Sequence, residues 1–265
     1  MDMNLKEKVA VVTGGSKGIG LAVARTLALE GASVVVGSRT GSEELDALCG
    51  THEVTAISVD LADREGPGKL IGDAVDRHGA IDVLINNVAL SELAASIAEF
   101  TDDQWQRIVN LTLLAAVRAV RAALPAMDGR PGACIVNISS VNSKVPARMI
   151  APYSAAKAAL TNYSAALSEE LAPRGIRVNT ISPGPIRTPL WTSPGSFADM
   201  MAEQLGTTSE DVMNRVLPES MGLSIGRVGE PEEVADLVAF LASARATNIT
   251  GGDYLIDGGM VKTVA

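Results

Sequence analysis

Seven short runs of apolar, mostly β-branched residues recur along the chain: VAVVT (9–13), ASVVVG (32–37), VTAISV (54–59), IDVLIN (81–86), ACIVNI (133–138), IRVNTI (176–181) and DYLID (253–257). Most lack the apolar–polar alternation of a strand with one wet face, which predicts parallel strands covered on both sides. Between them lie segments such as 18–30, 101–127 and 152–172, where apolar residues return at helical spacing. Strands alternating with helices predict βαβ units and an α/β fold: a Rossmann-type, doubly wound parallel sheet of about seven strands with flanking helices. No internal repeat, low-complexity tract or linker divides it, so one domain is expected over residues 1–265.

The rhythm breaks at 184–222, with GPIRTPLWTSPGS followed by a stretch carrying Met200, Met201, Met213 and Met221. This predicts an irregular excursion, which in a compact domain is more often a lid or binding loop than a structural necessity. Regular structure should resume at Glu230-Pro231, a suitable helix start.

Composition narrows the function classes. The chain has 265 residues, 47% of them hydrophobic, enough for one substantial core. Its net charge of −9 argues against a broad nucleic-acid or anionic-membrane surface, both of which need a basic footprint. The opening MDMNLKEKVAVV carries four charges and no secretory apolar core, and no apolar stretch reads as long enough to span a membrane. Cys49 and Cys134 are the only cysteines, and Cys134 sits within a strand run, so a core thiol is the better reading than a disulfide. We expect a cytoplasmic protein without a metal site.

Candidate chemistry begins at TGGSKGIG (13–20), between the first strand and a helical pattern. Gly14, Gly18 and Gly20 would let the backbone turn tightly and approach a pyrophosphate, with amides at the helix N-terminus facing the anion. The same residues satisfy G-x-S-x-G around Ser16, a hydrolase pattern that needs a late histidine. Only His52 and His78 exist, both in the first third, so that reading has little support. The second strand ends VVVGSRT, with Ser38 and Arg39 and no acid until Glu43. An acid there would hold a ribose 2′-hydroxyl; a hydroxyl and two cations, Arg39 and Lys17, suit a 2′-phosphate instead, favouring NADP(H) over NAD(H).

A second candidate is YSAAK, within an alanine-rich helix opened by Pro152. Tyr153 and Lys157 are then i and i+4 on one face. An ammonium beside the phenol should lower its pKa, giving a group able to move a proton near neutral pH. Taken alone, such a pair is far more often inert.

Its company changes that. TGGSKGIG, Asp60-Leu61 after the third strand, INNVA (85–89), a serine pair in NISS, YSAAK, SPGPIRT (182–188) and the closing TGGDYLIDGG follow one another in order. This chain resembles the short-chain dehydrogenase/reductase family over essentially its whole length, closest in type to NADP-preferring 3-oxoacyl and carbonyl reductases. The resemblance implies a cofactor half over roughly 1–130 and a catalytic and substrate half over roughly 131–265. It implies that Ser140, thirteen positions before the tyrosine, holds a substrate carbonyl oxygen and that Tyr153 passes it a proton. Lys157 would bind the nicotinamide ribose and depress the tyrosine pKa, and Asn110 would join a water-linked proton relay. Cofactor contacts are implied for Gly14, Ser16, Lys17, Gly18, Ile19, Gly20, Ser38, Arg39, Asp60, Leu61, Asn87, Tyr153, Lys157, Pro183, Gly184, Ile186 and Thr188.

INNVA departs from the family's N-N-A-G: Val88 and Ala89 replace alanine and glycine, and a slightly reshaped cofactor wall is expected. Leu190, Trp191, Phe197 and the methionines of 187–222 are expected either to form an apolar substrate wall or to be the lid's own small core. The expectation is NADPH-dependent reduction of a ketone or 3-oxoacyl carbonyl by a homotetramer or homodimer. The alternatives are an NAD(P)-dependent alcohol dehydrogenase working oxidatively and a non-catalytic cofactor-binding protein on the same fold.

Overall fold

A computed structural model describes residues 3–262. Its seven strands are β1 (Val9–Thr13), β2 (Ser33–Ser38), β3 (Val54–Ser58), β4 (Val83–Asn86), β5 (Cys134–Ile138), β6 (Arg177–Pro183) and β7 (Asp253–Ile256). All pair in parallel, in the order β3-β2-β1-β4-β5-β6-β7. Each lies within two residues of the run that predicts it. The chain reverses its direction of travel across the sheet between β1 and β4, so their carboxyl ends flank the crevice where open α/β sheets bind ligands.

The unbroken apolar runs have a direct cause. Val12, Val34, Val36, Ile85 and Val136 face a core shared with helices Gly18–Leu29, Glu43–Thr51 and Pro231–Ala242. The intervening Val11, Val35, Leu84 and Ile135 face another, shared with Gly66–His78, the long helix 102–127 and Ala151–Leu171. Both faces are dry, so neither parity of position can be polar. Cys134 is fully buried in this sheet, and burial pushes its thiol up to about 11. Both cysteines are free.

Two expectations need correction. The helix Asp102–Met127 does have the length and composition of a membrane span, with a window of mean hydropathy 1.5. Ala119, Val120, Ala123 and Met127 lie fully buried in the protein's own core, which accounts for much of that apolar character. The excursion after β6 is also not irregular: it folds into helices at Pro189–Thr192, Phe197–Leu205 and 209–220. Ser196 and Thr208 cap two of these by accepting from backbone N–H groups. Its methionines, proline and glycines mask a helical pattern that only packing makes visible.

Candidate active site

The β1 turn is built for close approach. Gly14 and Gly18 hold φ of +71° and +56°, the left-handed region that side chains resist. A Cβ on Gly20 would lie 2.3 Å from the Gly14 carbonyl oxygen. Thr13 and Asn87 stitch this turn to the end of β4: the Asn87 amide donates to the carbonyls of Thr13 (2.9 Å) and Gly14 (3.0 Å), and its backbone N–H donates to Thr13 Oγ1 (2.9 Å). INNVA is therefore a strut for the turn as well as a wall.

A cleft of about 520 Å³ opens over the turn. Of the expected cofactor residues, it is lined by Gly14, Ser16, Lys17, Gly18, Ile19, Gly20, Ser38, Arg39, Asp60, Leu61, Asn87, Tyr153 and Thr188. Lys17 and Arg39 are exposed, so both cations can reach an anion in the cleft. Asp60 accepts from the Ala62 N–H at 2.9 Å, which shapes the bend after β3. Neither His52 nor His78 lines the cleft with Ser16, which removes the hydrolase arrangement.

Pro183, Gly184 and Ile186 are not among the lining residues. Pro183 ends β6, the Gly184 N–H donates to Ile256 O at 3.0 Å, and Ile186 is 4% exposed in the sheet core. They carry the chain to Thr188, which packs against Gly18. The Val88 side chain faces Gly14 and also packs on the core. Sequence reading did not single out Thr40, Val59, Ser91, Leu111, Pro189 and Ser193 as lining residues, because no motif spacing marks loop positions that converge only in space.

Beyond the cleft wall, β5 ends in Ile138-Ser139-Ser140. Ser139 faces the helix, with its hydroxyl on the Lys157 carbonyl (3.2 Å) and on Thr161 Oγ1 (2.7 Å). Ser140 turns the other way, caps a 3₁₀ turn by accepting from the Asn142 N–H (3.1 Å), and its hydroxyl donates to Asn142 Oδ1 at 3.2 Å, close enough to the Tyr153 phenol to influence its pKa. Of the pair, Ser140 is thus the serine on the side of the phenol, and it is the one the family resemblance implies. A buried chain of amides seats the catalytic helix on the sheet: Asn86 donates to Asn137 (2.8 Å), and Asn137 to Ser164 (2.7 Å).

The electrostatics differ from expectation. Burial pushes the Tyr153 phenol above its ordinary value, and the nearby Ser140 hydroxyl pulls it back only in part. Lys157 does not depress it. The lysine is 1% exposed, its Nζ donates to Ile138 O at 2.5 Å and lies 5.7 Å from the phenol ring centre, and burial lowers its own pKa to about 7. A half-neutral amine turned towards a carbonyl is a weak acidifier of its neighbour.

Asn110 sits where the long helix changes to a π-turn, Asn110–Leu114. Its amide donates to Ala62 O (2.6 Å) and accepts from Arg118 (2.8 Å). The side chain is directed to the loop after β3 and not to Lys157.

The pattern described as short chain dehydrogenase matches residues 8–197. Human dehydrogenase/reductase SDR family member 4 is 36% identical over 262 residues, covering 96% of this chain and 88% of its own. A glucose and ribitol dehydrogenase homolog of Oryza sativa subsp. japonica is 34% identical over 97% of this chain and 87% of its own. Among solved structures, L-sorbose reductase from Gluconobacter frateurii, complexed with NADPH and L-sorbose, superposes with a TM-score of 0.93 at 35% identity over the whole of both chains. The chain belongs to the short-chain dehydrogenase family. It is an oxidoreductase of the kind that acts on alcohol and carbonyl groups.

Proposed function

We propose that this protein reduces a ketone or 3-oxoacyl carbonyl to the alcohol with NADPH. The observation carrying this reading is the placement of Tyr153, with Ser140 close to its phenol, in the wall of the cleft that the glycine turn opens. The glycine cradle, with no room for a Cβ on Gly20, suits a pyrophosphate, and Lys17 with Arg39 suits a 2′-phosphate. When bound there, the nicotinamide cofactor would supply the hydride.

The protein's own groups do the rest. Ser140 holds the carbonyl oxygen by donating to it. As negative charge develops on that oxygen, Tyr153 transfers its phenolic proton, so one O–H bond breaks on the enzyme and one forms on the product. A phenol raised by burial is protonated at neutral pH, the form that a reduction requires. Lys157, buried beneath the phenol ring and donating to the Ile138 carbonyl, ties the helix of Tyr153 to the end of β5. The NADPH complex of L-sorbose reductase supports the cofactor choice. Two free cysteines fit the reducing cytoplasm.

The test is NADPH oxidation by purified protein against a panel of ketones. Tyr153→Phe should cut turnover by at least about a hundredfold while NADPH binding, read by fluorescence, stays within twofold. Normal turnover in that variant would end the proposed mechanism.

A further inference from the structure

Large apolar side chains are exposed on the loops that carry the site. Leu93 and Ile97 lie on the loop after β4, Val145 and Met149 on the loop after β5, and Leu190 on the lid, each 36–58% exposed. They are five of the ten large hydrophobic residues exposed among the described residues. Scattered singly, such residues are ordinary; gathered on adjoining segments, they mark a binding surface.

Three observations gather them and join them to the cleft. The segments follow the carboxyl ends of three adjacent strands, β4, β5 and β6. The first two loops are tied to each other, the Ala94 N–H donating to Met149 O at 3.1 Å. Each segment also supplies the site itself: Val88 and Ala89 line the cleft shortly before Leu93, Met149 lies just ahead of Tyr153 in the chain, and Leu190 lines the cleft directly.

Polar and packing demands leave this surface apolar. The loops 88–98 and 141–150 carry Glu92, Lys144 and Arg148 as their charged residues. Glu92 is drawn aside by Arg107 (3.0 Å) and Lys144 by Asp253 (2.9 Å), while Arg148 brings an aliphatic stem of its own. On the lid, Trp191, Met201, Met213 and Met221 belong to a small internal core, with Trp191 and Phe197 in an edge-to-face pair at 5.6 Å. Leu190 is left outside that core and available to a ligand.

We infer that these loops receive an aliphatic chain of the substrate, so that the substrate class is ketones extended on one side of the carbonyl by an alkyl chain. This deepens the carbonyl-reductase reading and rests on it. The occupant is a substrate chain and not a second copy, because the surface borders the cleft. A protein seated there would close the way to Tyr153, whereas a chain whose carbonyl lies at Tyr153 leaves the cleft across Leu190, Met149 and Leu93.

The experiment measures kcat/KM for 2-butanone, 2-hexanone and 2-octanone in wild type, Met149→Ser and the double variant Leu93→Ser, Met149→Ser. In wild type it should rise about twofold per added methylene, less than the roughly fourfold of full burial because the wall covers one side of the chain. The double variant should flatten that rise, leaving 2-butanone within twofold and the KM for NADPH unmoved, with Met149→Ser between the two. A flat series in wild type, or a rise that survives in the double variant, would overturn the inference. So would an equal loss on all three ketones, which would make these residues supports of the fold. A changed light-scattering mass with the rise intact would likewise overturn it, by making the surface an interface between copies. Wild-type protein that reduces neither these nor any panel ketone would instead bring down the reductase reading, and this inference with it.

Discussion

Arg39 shows how much one side chain is asked to do. It stands exposed at the carboxyl end of β2, at a cleft in a chain of net charge −9. The overall field opposes a phosphate, so local charge-assisted contacts must outweigh it. Arg39→Ala should therefore raise the KM for NADPH about tenfold and that for NADH less than twofold, measured by cofactor titration. Equal losses would remove the ground for an NADP preference. At this scale spacing placed Tyr153 and Lys157 on one helix face, and the family resemblance added Ser140 as the serine beside them. Spacing misjudged the phenol's acidity, since burial and the direction of the Lys157 amine are not functions of i,i+4 position.

At the scale of elements, Asp82 joins three of them. Its 1% exposed carboxylate accepts from the Val9 N–H at the start of β1, from Lys8 (3.1 Å), and from Arg130 just beyond the long helix (2.9–3.1 Å). Burial alone would raise its pKa, but the bonds from Arg130, Val9 and Lys8 hold it below the usual carboxylate range. A carboxyl lowered on folding contributes stability that is fully present above the unfolded value, about 4, and is lost as pH falls through the folded one. Asp82→Asn should cost about 2 kcal/mol at neutral pH, since both cations are partly exposed and can rehydrate. Urea denaturation should also show a smaller loss of stability on acidification than in wild type. An unchanged midpoint at neutral pH would refute this role. The element pattern itself was legible in the apolar runs, but the lid helices were not, because proline, glycine and methionine there resemble loop composition until the Ala198–Val212–Leu217 core is seen.

At the scale of the whole molecule, the long helix leaves apolar surface uncovered. Only 39% of its most apolar window is buried, Leu114 is 38% exposed, and Ala155 and Ala159 are exposed on the helix of Tyr153. Small side chains on both helices allow close packing of a second copy. Static light scattering at micromolar protein should give four times the 27.4 kDa chain mass, with a dimer as the lesser outcome. A single-chain mass would show that these faces are not interfaces under those conditions.

The sequence alone determined the order of strands and helices and the glycine turn, which are written in local periodicity, while the order of its motifs carried the family resemblance that implies roles for Ser140, Tyr153 and Lys157. Tertiary structure decided the rest. Asn110 turns to Ala62 and Arg118, the lid's aromatic and sulfur side chains pack on one another, and Thr112 and Arg107 pin the loop after β4 at Leu90 and Glu92. Those outcomes depend on contacts between residues far apart in the chain, where each side chain's partner is set by how the sheet and helices pack.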